Sequence, residues 1–131
     1  MTAPESKSQR KRIIGLFPEL LGVGGIQEAG RLTAAALTGI ALRQGWSTDF
    51  LSLNDPPGPH SLDAAGHTIF LRGFGRAKIR FVLAAIGRAR SSARNGATIV
   101  LAAHPFLAVL AAWMQRTSPR VKTVAMAHGV E

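Results

Sequence analysis

The sequence predicts an α/β fold in which a parallel sheet of about five strands is flanked by helices, and three observations carry that expectation. Short apolar runs at residues 13–17, 46–53, 67–71, 97–103 and 121–127 read as strands, the first and fourth apolar almost throughout. Strands of a parallel sheet covered on both faces have that character. Segments with helical periodicity separate the runs, and strand alternating with helix builds a parallel sheet through right-handed crossovers. Finally, the first run passes through a turn containing Gly22, Gly24 and Gly25 straight into a helical segment, which is how a chain builds an anion site.

Taken in order, Pro18 ends the first strand, and the helix after the glycine turn covers residues 26–44. Ile26, Gly30, Thr33, Leu37, Ile40 and Ala41 are expected on its buried face, with Glu28, Arg31, Ala35 and Leu42 opposite. Gly45 caps its carboxyl end. Residues 54–66 contain Asp-Pro-Pro-Gly-Pro and read as a surface loop, and residues 72–76 as a flexible basic connection. The second helix, residues 77–94, buries Ile79, Val82, Leu83, Ile86, Ala89 and Ala93, turns Arg80, Arg88 and Ser91 outward, and projects Phe81 on the basic side. His104 is placed to cap the third helix, with Pro105 in its first turn, where a missing amide hydrogen costs little. Phe106, Val109, Leu110 and Trp113 are the expected core face of that helix, which stops near residues 117–119.

A chain of 131 residues is one domain's worth, with residues 1–11 expected as a disordered basic tail and 12–131 as the domain. The absence of cysteine excludes a disulfide framework and a thiolate metal site, and no clustered carboxylates suggest another metal. The apolar run behind the first charges is too short for a secretory signal. Residues 99–114, interrupted by His104 and Pro105, fall short of the ~20 residues a spanning helix needs. A soluble, cytoplasmic protein is expected.

The formal charge of +9 is concentrated, with seven basic residues and no acid from Arg72 to Arg94. Such a field favours an anionic partner. Arg72, Arg76, Lys78, Arg80 and Arg88, with Phe74 and Phe81 among them, form an expected membrane surface on the inner face of an anionic bilayer, each cation contributing ~1 kcal/mol. The plain alternative is a solvated helix face.

Ligands of open parallel sheets bind outside the carboxyl ends of the strands. Three features fall there: the turn at Gly24 and Gly25 after strand one, His104 after strand four, and His128 after strand five. The first helical amides after Gly24 have no internal partner and carry the positive end of the helix dipole, so a phosphate there is stabilised. Each feature also has a plainer role, as a tight connection, a helix cap or a satisfied buried group.

These residues together resemble the amino-terminal domain of GT-B glycosyltransferases, specifically the retaining family four group. The match rests on Gly-Gly-Ile-Gln at Gly24 to Gln27, Arg43-Gln-Gly-Trp, Ala103-His-Pro-Phe-Leu-Ala and Met126-Ala-His-Gly-Val-Glu, in that order, and spans about Arg12 to Glu131. The resemblance implies a Rossmann-like, acceptor-side domain that is part of a two-domain enzyme. Such an enzyme transfers a sugar, with retention, from a nucleotide-diphosphate sugar to a sugar or lipid-linked acceptor. It needs no cofactor beyond that co-substrate and no metal. Gly24 and Gly25 would face the donor diphosphate, His128 would be the catalytic histidine near the donor sugar, and Gln27 and His104 would lie towards the acceptor. A second domain or partner chain would complete the cleft, and this chain alone is expected to be inactive.

Two rivals come from other classes. A nicotinamide-dependent oxidoreductase shares the opening unit, but the third glycine of the dinucleotide spacing is missing, and Ser52 and Leu53 stand where a ribose-binding acid belongs. A non-catalytic basic module could bind membrane or nucleic acid; for nucleic acid, aromatics are few and no reading motif is present.

Overall fold

The structure, a computed structural model, describes residues 11–118 and 120–125. The tail before residue 11, the end of the expected strand 121–127, and His128 lie outside the described residues. The order is β1 (Lys11–Phe17), α1 (Gly25–Gln44), β2 (Ser47–Ser52), β3 (Gly58–Ala64), β4 (His67–Gly73), α2 (Lys78–Asn95), β5 (Ala97–Ala102), α3 (Pro105–Thr117) and β6 (Val121–Ala125). The strands form one six-stranded sheet ordered β3-β4-β2-β1-β5-β6. Every neighbouring pair is parallel except β3 with β4.

The chain moves one way along the sheet from β1 to β2 and the other way from β4 through β5 to β6. Crossovers of one hand then place their helices on opposite faces. Accordingly, Ala34 and Ala35 of α1 pack with Phe17, Phe50 and Ile69 on one face, while Phe81, Ala85, Leu107 and Met114 of α2 and α3 pack with Ile14, Leu51 and Val100 on the other. Successive residues of β1 alternate between these two cores, as a strand buried on both faces must.

β3 lies inside the stretch expected as a loop. It pairs with β4 across a two-residue turn, Ala65 and Gly66, both at positive φ (49° and 81°), the pattern of a type I′ hairpin. The strand is hard to read because Pro59 and Gly58 are poor strand formers, yet Pro59 is tolerated on the sheet's edge. Leu62 and Ala64 pack against the α1-side core, which draws the segment onto the sheet.

The buried faces of the helices also differ from expectation. On α1, Gly30 and Ala41 are buried as expected, but Ile26 and Ile40 are exposed and Ala35, expected outside, is buried. On α2, Phe81 points inward with 1 % exposure, while Ile79 is 76 % exposed and Leu83 is also outside. On α3, the core residues are Leu107, Ala111 and Met114, whereas Phe106, Val109 and Trp113 are exposed. The strands supply much of the bulk, so α1 approaches on a strip of alanine and glycine and α2 on Phe81 followed by Ala85, Ala89 and Ala93, and the large side chains at the margins of those strips are left in solvent. The caps are as expected: Gly45 adopts the left-handed conformation (φ 73°), and the His104 side chain caps α3 with Pro105 in its first turn.

Candidate ligand site at the carboxyl edge of the sheet

β1 lies between β2 and β5, and the connections after β1 and β5 leave over opposite faces of the sheet. That is a topological switch point, the place where open α/β sheets form a crevice. This edge is bordered by the loop from Pro18 to Gly24 and by the turn at His104. The ladder continues past the strands here, with Ala103 donating its amide to the Leu16 carbonyl at 3.0 Å and Leu53 to Phe17 at 2.9 Å.

Two side chains hold the loop. The Asp55 carboxylate, 2 % exposed, accepts the amides of Leu20 at 2.8 Å and Leu21 at 3.1 Å and the hydroxyl of Ser52. From the other side, Arg31 Nη1 donates to the carbonyls of Leu20 at 2.7 Å and Gly22 at 2.8 Å. Leu20 is fully buried and an amide there without a partner would be costly, so Asp55 is what lets the loop carry Leu20 into the core. The Asp55 segment is itself fixed by close approach to β4, because a Cβ on Gly73 would come within 2.1 Å of the Pro56 carbonyl oxygen.

Beyond the clamped part the loop is open. Val23 is 97 % exposed, and Gly24 and Gly25 are exposed beside it. Gly24 is the N-cap of α1 at φ 147°, its carbonyl accepts the Glu28 amide at 2.9 Å, and no side chain caps the helix. The first amides of α1 therefore remain available at a helix N-terminus. The Gln27 carboxamide folds back over Gly24, where an added Cβ would meet its Oε1 at 2.5 Å, so Gly24, Gly25 and Gln27 share one corner.

His104 stands at the end of the neighbouring strand, exposed, with Nδ1 accepting the Phe106 amide at 3.1 Å. That bond orients the ring and leaves Nε2 as the nitrogen open to a ligand. His128 lies outside the described residues.

The expected basic surface is rearranged. Arg72, Arg76, Lys78 and Arg80 are exposed. Phe81 is buried and stacks edge-on against half-buried Phe74, with ring centroids 5.5 Å apart, so neither forms a projecting aromatic tip. Arg88 is drawn inward to Asp49, which also accepts Arg12 at 3.3 Å, tying α2 to β1 and β2. An acid on the inward face of β2 captures the nearest guanidinium, which leaves Arg88 paired and only partly exposed.

Sequence reasoning missed Arg31 and Asp55. Arg31 read as a solvent-side helix residue and Asp55 as part of a proline-rich turn. Ser52 and Asp55 were the available local signal, since the side chains of Ser and Asp organise turns through local hydrogen bonds.

The fold defines the class: a Rossmann-like α/β domain, mostly parallel, with a topological switch point beside β1. No family model matches the chain, and none of the curated proteins or solved structures compared with it matches. Among the described residues no helix is long and apolar enough to cross a membrane.

Proposed function

We propose that this chain is the acceptor-side, Rossmann-like domain of a retaining GT-B glycosyltransferase of the family four type. The observation that carries the proposal is the uncapped start of α1, where exposed Gly24 and Gly25 leave backbone amides open at the carboxyl edge beside the switch point. In the completed enzyme these amides face the diphosphate of a nucleotide sugar. Charge grows on that diphosphate as the sugar departs, so fixed donors there stabilise the transition state more than the bound substrate. His104 Nε2 and the Gln27 carboxamide serve the acceptor, and His128 the donor sugar. A second domain supplies the other wall, and without it the crevice neither excludes water nor holds the leaving group. Attachment to the inner face of an anionic membrane belongs to the same proposal, through Arg72, Arg76, Lys78 and Arg80.

The nicotinamide reading has less support. Ser52, at the end of β2, is buried and bonded to Asp55, and Asp55 is occupied by loop amides, so neither is free to bind a ribose.

Titration of the chain with uridine, guanosine and adenosine diphosphates, followed by amide NMR shifts, tests the proposal. Shifts concentrated at residues 22–27 are expected for at least one nucleotide. No perturbation of those amides by any of the three at millimolar concentration would refute it.

A further inference from the structure

A groove between α2 and α3 remains beside the large side chains that these helices leave in solvent. Leu53, Phe81 and Leu107 form its floor, and Val82, Leu110 and Trp113 its sides. Its volume is about 360 Å³, inside the ~300–1,000 Å³ range of small-molecule sites, which are walled by apolar side chains with a few polar groups that fix orientation. Of the lining side chains only Lys78 is charged. Lys78 is the first residue of α2 and Phe106, also lining the groove, is in the first turn of α3. The groove thus opens at the positive ends of two helices, and neither has an acid in its first turn to offset that field.

The shape decides what fits. The floor residues are buried at the base of a concavity, below the exposed Phe106, Val109 and Trp113 of its rim, so one extended chain can reach them whereas a flat surface meets only the rim. A second copy of a chain carrying +9 would bring like charges together. We infer that the α2–α3 groove binds the single alkyl chain of an anionic amphiphile, with the chain lying on Phe81 and Leu107 and the head group beside Lys78. The inference uses none of Gly24, Gly25, Gln27 or His104 and stands apart from the glycosyltransferase proposal.

Dodecyl phosphate, kept below its micelle concentration, is titrated into the full chain while Trp113 fluorescence and heat are recorded, with Trp46→Phe isolating the signal. Saturable one-to-one binding is expected, tightening about fourfold per added methylene until the groove is full. Val82→Trp, which fills the groove, weakens binding by about tenfold or more. Lys78→Glu, at an exposed position, weakens dodecyl phosphate and strengthens dodecyltrimethylammonium. Failure of the monomeric amphiphile to bind, binding to anionic vesicles only, or an affinity indifferent to both substitutions would overturn the inference.

Discussion

The carboxylate of Asp55 accepts the Leu20 amide hydrogen at 2.8 Å across 35 positions of sequence. Through this bond the segment after β2 determines the shape of the loop after β1. Arg31 completes the hold by binding the Leu20 carbonyl at 2.7 Å, so one residue of the loop is gripped on both sides while the glycines beyond it stay open.

Asp55→Ala leaves the buried Leu20 amide and the part-buried Leu21 amide without their partner and is expected to lower unfolding free energy by about 3 kcal/mol. Arg31→Ala, at a half-buried site, costs about 1–2 kcal/mol. Urea unfolding gives both values. Hydrogen exchange is expected to speed up first at residues 19–24, and uniform acceleration would contradict a local brace.

Gly25 has no atom within 4 Å of where a Cβ would stand, so Gly25→Asp fits without collision. An acid at the first helical position stabilises the dipole by about 0.3–1 kcal/mol, yet places a negative charge where the diphosphate is proposed to sit. The expected outcome is an unchanged or higher melting temperature together with loss of nucleoside diphosphate binding. Retained affinity would move the anion site elsewhere.

Phe81 and Ile79 distinguish the observed orientation of α2 from the periodicity expected of its sequence. Phe81→Ala should cost about 3–5 kcal/mol because it empties a core position. Ile79→Ala, at a residue 76 % exposed, should stay within about 0.5 kcal/mol. Chemical denaturation of the two variants side by side decides the matter, since the sequence pattern alone predicts the reverse order.

Ala65 takes φ 49° in the β3–β4 turn, a conformation that costs an alanine about 1–2 kcal/mol and that asparagine tolerates. Ala65→Asn is therefore expected to stabilise the protein by about 1 kcal/mol, raising the melting temperature by about 4 °C. A lower melting temperature would argue against the hairpin and for the loop suggested by composition.

Much of the architecture is local and was legible in the chain. Pro18, Gly45 and His104-Pro105 punctuate the elements because their backbone limits act wherever they stand, and unbroken apolar runs at β1 and β5 mark strands covered on both faces. The positions of Gly24, Gly25 and His104 at one edge follow from strand and helix order alone.

Tertiary packing decided the rest. Which helix face is buried depends on the partner surface: aromatic rings at Phe17 and Phe50 require small residues opposite, and α1 carries large and small residues on both sides. β3 exists because β4 offers it an edge. Apart from the local Ser52–Asp55 bond, the partners of Asp55, Arg31 and Asp49 stand 9 to 39 positions away, a distance at which periodicity carries no information. The sequence by itself determined where most of the elements end and which strand ends share an edge; only the folded structure determined what holds those ends in place, because buried polar groups must find partners wherever the fold brings them.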